Sequence, residues 1–366
     1  MSSVMTVEFS NHSLTAGKLA DFLDTLPRCI MNRCARMWLY TSIVMLMIVP
    51  ACAQNPINHA FFWSAAGAMR DLGSLGGSSY AYAINNAGQV VGCYESGSGN
   101  FHAFLWTESG GAQDLGTLGG GSSAASGINS QGQIVGWSVT STGDAHAFLW
   151  TAAAGMQDLG TLGGSSSDAT AINDRGEITG SSAKLKDIQA VAYRETAVRG
   201  MQGLGTLGYR YSVGHAINVA GTVVGASPAS RNVASKRAFL QREGDRITDI
   251  GTLGGEASVA LGINRSEQVV GWSSLNRVSP IHAFLWTRES GMQDLGTLGG
   301  QNSAAQAINT MGQIVGFSDM GTPKVTHAAL WTGPNQIQDL GTLGGSNAIA
   351  KGVNDLGQVV GWSSLP

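Results

Sequence analysis

Ala147-Phe148-Leu149-Trp150 is apolar at every position, so both faces of the strand it predicts are buried. A half-exposed antiparallel sheet would alternate apolar and polar side chains instead. Three more short runs follow or precede it within Asp144–Ser181. Together the four are Ala145–Thr151, Met156–Leu162, Asp168–Asn173 and Glu177–Ser181. Each is apolar, β-branched or aromatic, and each is bounded by Gly, Ser, Asn or Asp. Phe148 and Trp150 are expected to face one neighbouring layer, Ala147 and Leu149 the other.

The same pattern recurs along the chain. An Ile/Val-Asn pair falls at Asn85, Asn129, Asn173, Asn218, Asn264, Asn309 and Asn354, with spacings of 44 to 46 residues. His-Ala-Phe-Leu-Trp recurs at Trp63, Trp106, Trp150, Trp286 and Trp331, with Tyr193 and Gln241 read as its variants. Leu-Gly-Thr-Leu-Gly recurs with it. Four strands per repeat of this length predict a propeller blade, and seven repeats predict a seven-bladed β-propeller with four antiparallel strands per blade. The composite pattern H-A-F-L-W, M-Q-D-L-G-T-L-G-G, A-I-N-x-x-G-Q-I-V-G resembles the bacterial extracellular HAF repeat family over residues 59–362. That resemblance implies an exported repeat protein and no defined biochemical activity.

Residue size predicts strand order. Blades converge at the axis, so the innermost strand takes the smallest side chains, which are Ala81/Ala83, Ala125/Gly127, Ala169/Ala171 and their counterparts. The G-Q-V-V-G strand is placed second, H-A-F-L-W third and D-L-G-T-L outermost. The repeats begin near His59 in mid-phase and stop near Trp362, so one blade is expected to be built from both ends. Pairing of Gln358–Trp362 with His59–Trp63 would close the ring and remove the sheet edges. A solenoid would need polar caps, and none is written here.

Composition narrows the class further. Gly numbers 52 of 366 residues, charged residues are 12% and the formal net charge is −3. This excludes a highly charged disordered chain, a coiled coil and a strongly basic nucleic-acid binder. Residues 37–49 form an uncharged apolar run after Arg33 and Arg36, followed by Ala51-Cys52-Ala53. This reads as a secretory signal over 31–53, with 1–30 an over-extended start and 54–366 the propeller. The run is too short to span a bilayer. In an alternative reading Cys52 is the lipidated residue of a lipoprotein. Only Cys93 of the four cysteines remains in the body, so no internal disulfide is expected there.

The recurrent polar residues read as scaffold. The Asn of I-N-x-x-G forms a turn. His59, His102, His146, His282 and His327 share one third-strand position, too far apart between blades for one metal ion. Gln189 and Arg237 are read as its replacements. Asp71, Asp114, Asp158, Asp249, Asp294 and Asp339 are expected to cap turns, with Gly203 the exception. No metal site, cofactor or catalytic set is expected from these.

Binding candidates come from positions that do not repeat. Loops at the end opposite the Asn turns vary in length and sequence, which marks a binding face. One innermost position reads Tyr82, Ser126, Thr170, His215, Leu261, Gln306 and Lys351, with Asp168 two residues before Thr170. Trp137, Trp272, Trp362 and Phe317 end the second strand and could stack on sugar rings. Residues 184–246 hold 10 of the 17 Lys and Arg beyond residue 53, and Arg231, Lys236 and Arg237 mark a basic sector suited to an anionic polymer. The expectation is a monomeric, exported, non-enzymatic propeller, secreted or in the cell envelope, that binds a glycan or anionic polymer. One alternative is a polysaccharide hydrolase or lyase using His215, Asp168, Lys351 and Tyr82. The other is a purely structural module.

Overall fold

The computed structural model describes residues 57–73, 76–184, 190–230, 235–321 and 325–366. The expected leader, Cys52, Gln189 and Arg231 lie outside these residues.

Among the described residues the regular elements are 28 strands, numbered β1 to β28 in chain order. They form seven four-stranded antiparallel sheets arranged as a seven-bladed propeller. Blade 1 joins the two chain ends in the order β2 (Gly67–Asp71), β1 (Asn58–Ser64), β28 (Val359–Ser364) and β27 (Ala348–Val353). Its central register runs from Asn58 opposite Ser364 to Trp63 opposite Val359, so the closure expected from the repeat phase is present. Blades 2 to 7 follow in sequence, over residues 79–114, 119–158, 163–205, 213–249, 258–294 and 299–341. In each, the small-residue strand lies innermost, and successive innermost strands touch round the whole ring.

Packing between blades follows residue size. Phe148 and Trp150 pack with Val91 and Ala103 of the preceding blade, while Ala147 packs with Ala169 and Tyr193 of the following one. Phe61, Phe148, Phe239 and Phe284 are fully buried in equivalent places. The core is therefore seven apolar seams between sheets.

Two sequence expectations need correction. In blade 4, Tyr193 pairs with Gly180 as Phe148 pairs with Gly136, so Tyr193 replaces the Phe and not the Trp. Glu195 holds the Trp position, opposite Ile178, and Val191 holds the His position, opposite Ser182. The repeat there reads Val-Ala-Tyr-Arg-Glu; the match of Tyr to Trp was false because both are large and aromatic. The strand limits also shift. The outer strand β10 (Gly155–Asp158) ends before Leu-Gly-Thr-Leu, because the Asp158 carboxylate accepts the Gly160 N–H and turns the chain, with Gly160 at φ +70°. The inner strand β11 (Gly163–Ile172) starts earlier than expected, with Gly163 opposite Lys184.

Candidate functional site

Each innermost strand carries a β-bulge at the non-repeating position, and those of blades 3, 4 and 7 carry a second irregularity nearer their start. The register skips Tyr82 between Ala81 and Ala83, Ser126 between Ala125 and Gly127, and Thr170 between Ala169 and Ala171. His215, Leu261, Gln306 and Lys351 are skipped in the same way. An extra residue re-aims its side chain out of the pleat. The residues flanking it are held against neighbouring backbone: a Cβ at Gly127 would lie 3.2 Å from Ala171 Cα of the next blade. The bulge side chains are half-buried, and since blades close on both sides, their open part faces the axial space. The fold thus presents seven differing side chains round the axial wall.

The bulge also explains the Gly of V-V-G. It pushes the inner strand's carbonyl over the second strand, so a Cβ at Gly136 would overlap the Ala124 carbonyl oxygen. The six equivalent glycines meet the same obstruction.

Neighbouring bulge residues interact unequally. Lys351 Nζ donates to Gln306 Oε1 of blade 7 at 3.0 Å. Thr170 Oγ1 donates to the carbonyls of Gly214, in the next blade, and Thr179 at 2.8 and 3.1 Å, so it serves the scaffold. Tyr82 Oη lies 3.4 Å from Cys93 Sγ. Asp168 accepts from the Ser181 hydroxyl, and burial, opposed by that bond, raises its carboxyl to about 6. Burial and the nearby Lys236 hold the His215 imidazole down to about 4, so it is neutral at pH 7. Burial brings Lys351 and Lys236 each down to about 8. The structure therefore groups Lys351 with Gln306, and His215 electrostatically with Lys236; it forms no hydrogen bond among His215, Asp168, Lys351 and Tyr82.

Trp137, Trp272, Trp362 and Phe317 are half-buried on the second strand, toward the variable-loop end. The Trp362 ring meets Tyr80 of blade 2 edge-on at 5.8 Å, and Tyr80 Oη accepts from Asn58 Nδ2 at 3.2 Å. Part of the basic sector is paired. Arg237 binds Asp249 at 3.0 Å and occupies the His position of blade 5. Arg242 binds Glu267, Arg199 binds Glu243, and Arg194 donates to Gln241.

The recurrent polar groups serve the frame. The five histidines each hold the outer-strand aspartate through Nδ1, at 2.7 to 2.9 Å. Blade 4, which has Val191, also has Gly203, so both partners are lost together. Each Asn of I-N-x-x-G accepts two N–H groups of its own turn, as Asn129 does from Gln131 and Gln133. Sequence reasoning missed its second role. Asn85 Nδ2 donates to the Asn129 carbonyl of the next blade, and this continues through Asn173, Asn218, Asn264, Asn309 and Asn354 back to Asn85, at 2.9 to 3.2 Å. Among the described residues no three His, Cys, Asp or Glu side chains are grouped to hold a metal ion, and no helix is long and apolar enough to cross a membrane.

No protein-family model matches this chain, and no curated protein does. Solved structures share its general form at low identity. TolB from Acinetobacter baumannii is 11% identical with a TM-score of 0.44, over 64% of this chain and 62% of that one, so this chain spans less than two thirds of it. A gluconolactonase from Xanthomonas campestris is 13% identical with a TM-score of 0.38, over 87% and 99%. The acylaminoacyl peptidase of Pyrococcus horikoshii is 9% identical with a TM-score of 0.48, over 74% and 48%.

Proposed function

We propose that this protein is an exported, non-catalytic binding scaffold whose ligand enters the axial mouth at the variable-loop end. One observation carries the reading. The bulge position is half-buried in all seven blades, yet it holds Tyr82, Ser126, Thr170, His215, Leu261, Gln306 and Lys351, seven different residues on a repeated frame. A frame kept constant while its open positions diversify is the arrangement of a recognition surface. The half-buried Trp137, Trp272, Trp362 and Phe317 supply flat apolar area at the same end, suited to the C–H face of a sugar. Export is supported by the apolar run at residues 37–49 and by the resemblance to HAF repeats.

A glycan array probed with the purified protein tests this. Retention of a defined glycan class, reduced by Trp137→Ala or Trp272→Ala, is expected. No retention of any glycan, or release of new reducing ends from a bound glycan, would overturn it.

A further inference from the structure

Four successive blades, in the order 1, 7, 6, 5, place Lys351, Gln306, Leu261 and His215 side by side round the axial wall. From their chemistry we infer that this wall binds a hydroxy-carboxylate of the uronate class, with the carboxylate on Lys351. The inference rests on the scaffold reading above and names its ligand.

Lys351 is the first reason. Some other cations have carboxylate partners, as Arg237 has Asp249 within blade 5 and Arg242 has Glu267 of the following blade. Lys351 has none within 4.0 Å among the described residues; its one partner is the neutral Gln306 oxygen. An ammonium has three donors, and two remain open. A cation kept out of bulk water without a counter-ion is unfavourable, and an anion arriving through the axis would relieve that.

The neighbours set the rest of the ligand. Gln306 turns its oxygen to Lys351, which leaves its amide N–H groups as donors. Leu261 follows with an apolar surface. His215, neutral and without a hydrogen bond among the described residues, offers one donor and one acceptor, which suits a hydroxyl. A cation, an amide, an apolar step and an imidazole in a row match a carboxylate, a ring oxygen or hydroxyl, a C–H face and a second hydroxyl.

Charge number selects carboxylate over phosphate. One ammonium in the ring neutralises one negative charge, and a dianion would leave one uncompensated. Asp168 stands on blade 4, across the ring from blade 1, and its carboxyl disfavours an anion on that wall. The acid end of the ligand is thereby directed to Lys351. Inner strands in contact leave an axial space for a small molecule or a chain end, not for a folded partner.

Calorimetric titration of the full protein with D-glucuronate, D-galacturonate, D-glucose, D-galactose and a tri-galacturonide tests the proposal. At least one uronate is expected to bind with a dissociation constant below about 1 mM, and its neutral counterpart at least about tenfold more weakly. Monosaccharide binding equal to that of the trimer identifies a free solute; tighter trimer binding identifies a polymer end. Lys351→Met should weaken uronate binding about tenfold or more with an unchanged or higher unfolding temperature. Gln306→Glu, which gives Lys351 an internal counter-ion at constant size, should do the same. Uronates and neutral sugars bound equally, or uronate affinity unchanged in Gln306→Glu, would overturn the assignment while leaving the scaffold reading intact. Failure of every uronate together with an empty glycan array would remove both.

Discussion

The side-chain amide of Asn354 donates to the main-chain carbonyl of Asn85, 269 residues away in sequence, at 3.0 Å. It is the last link of a belt that joins all seven blades at the Asn-turn end. All seven asparagines are 3 to 6% exposed, so water cannot replace a lost partner.

Removing a link should therefore cost more than removing a surface turn. Asn129→Ala deletes one oxygen that accepts two turn N–H groups and one amide that donates to Gln133 and to Asn173 of the next blade, for a loss of about 2 kcal/mol or more. Asn129→Asp keeps the turn acceptor and replaces the donor to the Gln133 side chain and the Asn173 carbonyl with an oxygen facing both. If the belt matters, both lower the calorimetric unfolding midpoint by several degrees. Asn354→Ala should in addition expose the chain ends to protease, because it sits where the ring closes. An Asn129→Asp protein as stable as the parent would show that the asparagine is a turn former alone.

The bulge ring makes a second demand. Gly136→Ala places a Cβ onto the Ala124 carbonyl oxygen, and the inner strand cannot retreat because the next blade is against it. A penalty above about 3 kcal/mol is expected, with little folded protein recovered. Gly97→Ala meets nothing within 4 Å and serves as the matched control. Equal circular-dichroism melts for the two variants would contradict the bulge geometry.

The His–Asp clips are open to a coupling measurement that nature has already sketched in blade 4. His146→Val and Asp158→Gly, singly and together, convert blade 3 to the Val191/Gly203 pair. Both groups are partly exposed, His146 at 21% and Asp158 at 42%, so the coupling energy should be small, about 0.5–1 kcal/mol. Asp158→Gly alone should cost more than His146→Val, since Asp158 also holds the Gly160 N–H. Additive denaturant midpoints in the double variant would mean that the pair is coincidental.

Blade number, strand order and ring closure were legible because they follow from local quantities: repeat period, side-chain size, and the phase at which His59 and Trp362 start and stop the pattern. The bulges were half legible. The divergent series from Tyr82 to Lys351 marked the position, but the extra residue is defined only against the partner strand. One trace existed: Ala81 and Ala83 are both small although they face different blades. The Asn belt left no such trace, since its donor meets a carbonyl one repeat away and the turn chemistry already accounted for the residue. Pairing within the basic sector was not legible, because a count of Lys and Arg names no partners. Arg237 is bound to Asp249, and Arg242 to Glu267.

Glu195 provides a final test, where blade 4 departs from its siblings. It stands at the Trp position, and its Oε2 is buried without a hydrogen-bond partner. Burial raises its carboxyl from 4.5 to about 7. The folded state therefore holds a proton that the unfolded chain has already released between those values, so the contribution of Glu195 to stability falls as pH rises from 4.5 to 7. Glu195→Gln abolishes that titration. The variant should match the parent near pH 4.5 and exceed it above pH 7 by about 1 kcal/mol, after allowing for partial exposure. Asp168 and His215 titrate in overlapping ranges, but they are common to both proteins and cancel in the difference. Urea unfolding of parent and variant at pH 4.5, 6 and 8 measures this. A difference that does not grow with pH would mean that Glu195 is solvated or paired, and that this seam is closed in some other way.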